Sequence, residues 1–322
     1  MSGDLVKESK TYKPFKYEWA VQFAIDGEDM HWHEKEANLE YDVAQWKGRD
    51  KNSLTTGEKD FITNILKLFT QLDVTVGQNY IEKFLPKFKN NEIRAMLSSN
   101  LAREFIHQRA YALLNDTLGL DEKQYSAFLE YSEMADQIDF ILDSDIHTVK
   151  GLGLALAKAV FSEGVALFAS FVMLLSFKRF GKMLGMCDIV EWSIKDENLH
   201  VDGMTALFRA YCDENPRIVT DDFKKSIYEM AAAVVKLEDE FIEMSYKLSP
   251  DAIKDLKKED MKQYMRYLSD RRLTQLGLKP QYGIAKNPLP WVDEIINARV
   301  HGNFFETRIT DYSVVGLTGS WE

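Results

Sequence analysis

The sequence has few of the residues that mark loop-rich or cross-linked folds. Its 322 residues include only seven prolines and 17 glycines. Long stretches contain neither residue type, which favours helices over the many turns of a β protein. The two cysteines, Cys187 and Cys212, cannot form a disulfide framework and show no metal-binding spacing. We therefore expect a protein of a reducing compartment.

Basic residues and export signals are also scarce. The 40 Lys and Arg residues are outnumbered by 51 Asp and Glu, and the formal net charge of −11 argues against nucleic acid as the main ligand. The N-terminus lacks the continuous apolar core of a signal peptide, so we expect a cytoplasmic protein. The most hydrophobic run, residues 164–177, has 14 residues, below the roughly 20 needed to cross a bilayer. Because it is apolar on every side, it predicts a helix buried in a bundle and no membrane association.

Helical periodicity is the dominant pattern in the chain. Thr55 and Glu58 fit a capping box, and apolar residues follow at spacings of three and four up to Tyr80, which predicts a helix over about 55–84. Asn90 opens a second helix, which ends at Leu118-Gly119. Strand alternation is nearly absent, so the sequence predicts an all-α fold. Further helices are predicted at about 123–142, 150–180, 185–212, 221–246 and 251–275.

The two ends of the chain differ from this helical middle. We predict a single domain over 1–322 with an N-terminal arm, about 1–50, that contains short helices. The region from about Pro288 looks irregular, and residues 303–322 have the composition of a flexible tail.

Two E-x-x-H pairs lie on predicted helices. Glu104 and His107 form the first, and Glu197 and His200 form the second. Residues three apart share a helical face, so each pair can reach one metal ion. A third pair, Glu28 with His31, shows that the spacing also arises by chance in an acidic chain.

Each of the first two pairs follows a lone carboxylate at a similar distance. Asp73 precedes Glu104 by 31 residues, and Glu163 precedes Glu197 by 34. A gap of this length fits one helix continuing, a turn, and a second helix returning to the same height. Asp73 and Glu163 also share their helical faces with apolar residues, and a buried isolated charge must be paired, neutralised or bound to a metal.

A simpler interpretation of the six residues needs no metal. Each histidine would be a buried, hydrogen-bonded core residue, and each acid would form a salt bridge. Their duplicated order argues against six such coincidences. A carboxylate from each of two helices and E-x-x-H from two others is the ligand pattern of ferritin-like di-iron and di-manganese proteins. Four carboxylates and two imidazoles suit iron or manganese better than zinc.

Tyr111 lies on the same helical stripe as Glu104 and His107, at positions i, i+3 and i+7. Its phenol is therefore expected within a turn of the metal ligands. A tyrosine at that depth can also be an ordinary core residue.

These segments resemble those of class I ribonucleotide reductase small subunits. The segment from Glu104 to Tyr111 (EFIHQRAY) is similar to the family's E-x-x-H-x-x-x-Y, and residues 195–200 (KDENLH) are similar to its D-E-x-x-H. Asp73 and Glu163 match the two lone ligands, and the resemblance runs from about Trp32 to Tyr312. It implies a homodimer with two metal ions per chain, in which dioxygen is activated and Tyr111 is oxidised to a stable radical. The radical would pass to a separate large subunit that reduces ribonucleotides to deoxyribonucleotides.

The resemblance also implies a route for the radical. Trp32 would be the relay near the site and Glu36 an acid that manages protons, as in the family's W-x-x-E-E segment. Asp196 would accept a hydrogen bond from the outer nitrogen of His107 and contact the relay tryptophan. Glu306 and Tyr312 resemble the acid and the tyrosine of the tail that hands the radical on.

Two departures from the family pattern concern this route. About five additional residues separate Trp32 from the first long helix, so Trp46 is a rival for the relay position. The tail after Tyr312 has only ten residues, where many relatives have a longer acidic stretch. Trp321 is then the candidate anchor in the large subunit.

Two other functions stay open at this stage. One is a stand-alone di-metal oxidase of the same fold, for which a tail tyrosine and anchor would be purposeless. The other is a metal-storage protein, in which Tyr111 would be incidental. The resemblance implies iron, but Mn/Mn and Mn/Fe pairs use the same oxygen and nitrogen ligands.

Overall fold

The structure, a computed structural model, describes residues 4–11, 13–121, 123, 132–250, 252–253 and 255–302. These residues contain helices and turns and no strand, so the all-α prediction is confirmed. The α-helices are α1 (Glu18–Asp29), α2 (Glu40–Trp46), α3 (Thr56–Asn79), α4 (Leu85–Lys87), α5 (Asn91–Leu118), α6 (Ser132–Leu142), α7 (Val149–Gly164), α8 (Phe168–Leu175), α9 (Leu184–Glu214), α10 (Asp221–Leu248), α11 (Lys258–Gln275) and α12 (Pro290–Gly302).

The long helices begin where side chains can accept their free backbone N–H groups. Thr55 and Glu58 form the predicted capping box of α3, with the Thr55 hydroxyl 3.2 Å from the Glu58 nitrogen. Asn90 accepts from two backbone nitrogens at the start of α5, and Gly119 ends that helix with a φ of 76°. These contacts satisfy groups that a helix end leaves unpaired, which explains why both boundaries could be predicted.

Helix α9 begins without a cap of its own. Its N-cap residue, Met183, has a φ of 51°. Asp42 on α2 accepts hydrogen bonds from Gly185 and Met186, at 3.1 and 2.7 Å. A side chain at Gly185 would collide with the carbonyl oxygen of Asn38, so only glycine allows this close approach. The N-terminal arm thereby fixes the start of α9.

Four helices surround the centre of the bundle. Helix α3 packs along α5, α7 packs along α9, and α5 contacts α9. Helix α1 covers α5 and α9, and α10 packs against both α7 and α11. Helix α3 continues through a π-helical segment, Tyr80–Phe84, into α4.

The apolar segment predicted as one helix over 150–180 is interrupted. Helix α7 ends at Gly164, residues 165–167 form turns, and α8 is followed by a 3-10 helix, Ser176–Phe180. Val149–Phe180 is long and apolar enough to cross a membrane, but its most hydrophobic window is entirely buried in the protein. The prediction of a segment buried on all sides is therefore confirmed.

The structure corrects two predictions near the C-terminal end. Helix α11 begins at Lys258, seven residues after the predicted start. The region from Pro288, predicted to be irregular, contains α12. Val292 on α12 is fully buried, so packing against the rest of the protein stabilises this helix. The helix is too short to show a clear apolar periodicity in the sequence.

Candidate metal centre

The six predicted metal ligands come from the four central helices. Asp73 lies on α3, Glu104 and His107 on α5, Glu163 on α7, and Glu197 and His200 on α9. All six residues are at most 2% exposed. Their ligand atoms form two groups, each within 4.8 Å: the first contains Glu104, Glu163, Glu197 and His200, and the second contains Asp73, Glu104 and His107.

Two of the carboxylates lie between the two histidines. His200 Nδ1 is 3.1 Å from Glu104 Oε1, and His107 Nδ1 is 3.7 Å from Glu104 Oε2. Glu197 likewise approaches His107 Nδ1 at 3.4 Å and His200 Nδ1 at 3.7 Å. Glu104 and Glu197 therefore lie close to both histidines and would help to hold metal ions there, together with Asp73 and Glu163.

Most of these ligand atoms have no hydrogen-bond partner, although they are buried. This holds for both oxygens of Glu104 and Glu197, for Asp73 Oδ2, for His107 Nδ1 and for both ring nitrogens of His200. Their mutual contacts do not have the geometry of hydrogen bonds, so these contacts do not satisfy them. Leaving several buried polar atoms unpaired costs about 1–3 kcal/mol each. The residues thus fit a pair of metal ions, which would satisfy the carboxylate oxygens, His107 Nδ1 and one ring nitrogen of His200.

Burial also opposes ionisation of the carboxylates. It raises the pKa of Asp73 to about 8 and that of Glu197 to about 8, and it raises the pKa of Glu163. Burial acts in the same direction on Glu104, but His107 and His200 outweigh it and hold its pKa below the usual range. Divalent cations would stabilise all four carboxylates in their charged, ligating form.

Asp196 connects His107 to its surroundings. Its Oδ2 atom accepts from His107 Nε2 at 2.9 Å, from Trp32 Nε1 at 2.8 Å and from Arg103 at 3.1 Å. Burial raises the pKa of Asp196, but the hydrogen bond and charge of His107 and the charge of Arg103 lower it by more. The pKa of Asp196 is therefore below its usual value. An ionised Asp196 fixes the proton of His107 on the outer nitrogen and leaves Nδ1 free to ligate.

Trp32 packs directly against this pair. Its ring stacks on His107 with centroids 5.9 Å apart and contacts Trp192 at 5.1 Å. The Arg103 guanidinium lies 5.7 Å from the Trp32 ring and also contacts His31. The family resemblance implied the Asp196 contacts with His107 and Trp32, and the structure contains both. Arg103 gave no signal in the sequence because its role depends on tertiary contacts.

Tyr111 is buried on α5 beside the ligands. Its hydroxyl donates to Ser193 Oγ at 3.2 Å, and Ser193 in turn donates to the Ile189 carbonyl oxygen at 3.0 Å. Burial, together with the charges of Asp73 and Glu197, raises the pKa of Tyr111 well above 10. The phenol is therefore protonated at neutral pH.

A second tyrosine, Tyr80, also reaches the ligand cluster. Its hydroxyl contacts Glu163 at 2.8 and 3.0 Å. In the sequence, Tyr80 ends the apolar pattern of the helix that carries Asp73, and no role was predicted for it. Its position seven residues after Asp73, equivalent to two helical turns, is the signal that could have identified it.

The remaining predicted residues lie elsewhere. Glu36 is exposed and accepts from the His33 backbone nitrogen at the 3-10 turn Glu34–Glu36. Trp46 packs near the start of α3, where Lys59 lies 5.9 Å from its ring. Glu306, Tyr312 and Trp321 lie outside the described residues.

Comparison with known proteins identifies relatives of the whole chain. A family model described as "Ribonucleotide reductase, small chain" matches residues 9–288. The probable ribonucleoside-diphosphate reductase small subunit 048L of Invertebrate iridescent virus 3 is 37% identical over 337 residues, covering 98% of this chain and 88% of that protein.

Solved structures with the same fold agree with this match. The R2 subunit from Clostridium botulinum superposes with a TM-score of 0.80 at 24% identity, covering 89% of this chain and 91% of that one. The dimanganese(II)-NrdF of Streptococcus sanguinis gives a TM-score of 0.78 at 17% identity, covering 90% and 99%. These similarities confirm the predicted ferritin-like helical bundle.

Proposed function

The chain belongs to the ribonucleotide reductase small-chain family, and we propose that it generates a radical at Tyr111 with two bound metal ions and dioxygen. The small subunit of this enzyme works with a large subunit in the conversion of ribonucleotides to deoxyribonucleotides. The observation that carries the proposal is the convergence of two carboxylate and E-x-x-H sets beside a buried tyrosine.

We propose that the ions are held by the six ligand residues Asp73, Glu104, His107, Glu163, Glu197 and His200. When bound, they would supply the one-electron oxidation of Tyr111 at the expense of dioxygen. We propose iron, as the resemblance implies. Mn/Mn and Mn/Fe pairs remain alternatives because they use the same ligand types, and one structural relative is described as dimanganese.

The chain's own residues would hold and protect this centre. Asp196 orients the His107 ring so that Nδ1 faces the other ligands. Ser193 Oγ fixes the phenol oxygen of Tyr111. Because the ligands and Tyr111 are buried, water and external reductants are excluded from the phenol, which favours a long-lived radical.

We further propose that the radical leaves through Trp32, which shares Asp196 with His107, and then through Tyr312 in the tail. Glu36 and Glu306 would manage protons on this route, as the resemblance implies. Trp321 would anchor the tail in the large subunit. A single-domain chain, a homodimer and a cytoplasmic location complete the proposal.

Aerobic reconstitution of the metal-free full-length chain tests the centre. Fe²⁺ or Mn²⁺ is added, bound metal is measured by elemental analysis, and radical is measured by electron paramagnetic resonance. We expect two ions per chain and a tyrosyl signal with at least one metal. Bound metal without any radical would favour storage, and a radical without binding of a large subunit would favour a stand-alone oxidase.

The variant Glu163→Ala tests the ligand assignment. It should reduce the metal content below two ions per chain while the circular dichroism of the helices stays close to that of the wild type. Full retention of two ions would contradict the assignment of Glu163.

A further inference from the structure

Glu163 differs from the other three carboxylates of the ligand cluster in its hydrogen bonds. The Tyr80 hydroxyl lies 2.8 Å from Glu163 Oε2 and 3.0 Å from Oε1. Glu104 and Glu197 have both oxygens without a hydrogen-bond partner, and Asp73 has one such oxygen. Among the three glutamates of the cluster, Glu163 is thus the one that accepts a hydrogen bond from a side chain outside the cluster.

Tyr80 is itself held in a defined direction. Asn100 Nδ2 on α5 donates to the Tyr80 hydroxyl oxygen at 3.2 Å. An amide nitrogen can only donate, so the phenol uses a lone pair there and directs its own hydrogen toward Glu163. Both residues are buried, and water cannot easily replace either bond.

The backbone at Glu163 does not orient its carboxylate. Helix α7 ends one residue later, at Gly164, and Val165 has φ −140° and ψ −50°, outside the helical region. The Gly164 carbonyl is held by Arg272 Nε at 3.2 Å, which fixes the end of the helix but does not touch the Glu163 carboxylate. The orientation of that carboxylate therefore depends on side-chain contacts.

Tyr80 lies where it can reach the His200 side of the cluster. It is the first residue of the π-helical segment Tyr80–Phe84, and its ring meets the His200 ring edge-on with centroids 6.4 Å apart. Glu163 Oε2, the oxygen closer to the Tyr80 hydroxyl, is 3.3 Å from His200 Nδ1. Single π-helical turns within α-helices often occur at functional sites.

We propose that Tyr80, directed by Asn100, is a positioning residue that holds the Glu163 carboxylate toward the His200 half of the metal centre. The inference rests on the proposed metal function. A carboxylate has about four lone-pair sites, so Glu163 can accept from Tyr80 and still ligate an ion. Removing a hydrogen-bond partner of a metal ligand typically weakens metal binding by about 10–100-fold.

The test is a titration of the metal-free full-length chain with Mn²⁺ alone, with free Mn²⁺ followed by electron paramagnetic resonance. The wild type should bind two ions per chain. In Tyr80→Phe, one of the two affinities should fall by about 10-fold or more. The other should change much less, because Asp73 and His107 do not contact Tyr80.

Two control variants separate positioning from a general loss of stability. Tyr264→Phe removes another buried phenol, on α11, and should leave both affinities unchanged. Tyr80→Phe removes the acceptor of the Asn100 amide, so the double variant Tyr80→Phe/Asn100→Leu replaces that unpaired group by an apolar one. The selective loss of one affinity should persist in the double variant.

Each outcome has a distinct meaning. Two unchanged affinities in Tyr80→Phe, with wild-type binding of two ions, would overturn the positioning role alone. Equal loss of both ions in the single and double variants would also overturn it, since that result reports a structural defect. Failure of the wild type to bind two ions would instead refute the proposed metal centre.

Discussion

The indole nitrogen of Trp32 donates a 2.8 Å hydrogen bond to the same oxygen of Asp196 that accepts from His107 Nε2. One carboxylate oxygen therefore joins an aromatic ring to the outer nitrogen of a candidate metal ligand. Trp32 is 5% exposed and lies close to the surface residue His31, which contacts Arg103. This connection favours Trp32 over Trp46 as the first relay.

Trp32→Phe tests this relay. Asp196 keeps His107 and Arg103 as donors, so metal content and the Tyr111 radical should remain, while product formation with the large subunit should fall to background. The free energy of unfolding should drop by about 1–3 kcal/mol, because one hydrogen bond and part of a buried ring are lost. Trp46→Phe is the matched control. If Trp46→Phe loses turnover and Trp32→Phe does not, Trp46 and not Trp32 is the relay.

Tyr111→Phe removes one hydroxyl and keeps the ring. Both metal ions should bind as in the wild type, since Tyr111 is not among the ligand residues, whereas the tyrosyl signal should disappear after aerobic reconstitution. Ser193 retains its bond to the Ile189 carbonyl, so we expect a stability change of only about 1 kcal/mol. A radical of unchanged intensity would place it on another tyrosine, and Tyr80 would be the first to examine.

The register of the metal ligands could be predicted because it depends on local geometry. Glu104 and His107 share a helical face by spacing alone, and the similar gaps from Asp73 and Glu163 follow from helix length. The break between α7 and α8 could not be predicted, because it depends on contacts between segments that are distant in sequence. The interruption at 165–167 lies in a run without charged residues, and the Gly164 carbonyl there is held by Arg272, 108 residues away.

The same limit applies to the neighbours of the site. Three of these neighbours acquire their roles only through partners on other helices. The hydrogen bonds that define those roles join residues 82 to 93 positions apart: Arg103 with Asp196, Ser193 with Tyr111, and Tyr80 with Glu163. Helix periodicity shows which face such residues occupy. It does not show which side chain of another helix they will meet.

Glu238→Gln tests a buried acid outside the metal centre. Glu238 accepts from Gln137 at 2.6 Å and from the Ala169 backbone nitrogen at 3.2 Å. Burial raises its pKa well above 4.5, more than these donors lower it. The folded chain therefore binds this proton more tightly than the unfolded chain, so the contribution of Glu238 to stability falls as the pH rises above 4.5.

Glutamine has a similar shape and cannot ionise. Thermal unfolding of the metal-free chain should show Glu238→Gln gaining stability relative to the wild type as the pH rises from about 5 to 8. A difference in melting temperature that does not vary with pH would show that Glu238 does not titrate in this range.

Deletion of residues 313–322 tests the tail, which lies outside the described residues. The deletion leaves every ligand residue and Tyr111 in place, so metal binding and the radical should be unchanged. Association with the large subunit should weaken, because we propose that this tail supplies contacts to that subunit. Trp321→Ala should reproduce much of that loss, as expected of an aromatic anchor. Binding as tight as that of the wild type after deletion would exclude the tail as the docking segment.

Tyr312→Phe separates radical transfer from docking. The substitution keeps the length of the tail and its candidate anchor, so complex formation should be normal when measured by titration against the cognate large subunit. The Tyr111 radical should also be normal, because the ligand cluster is unaltered. Phenylalanine lacks the phenol that can lose an electron and a proton together, so it cannot relay the radical, and deoxyribonucleotide formation should fall to background. Substantial turnover by this variant would refute the proposed route through Tyr312, whereas loss of binding together with turnover would show that Tyr312 acts in docking.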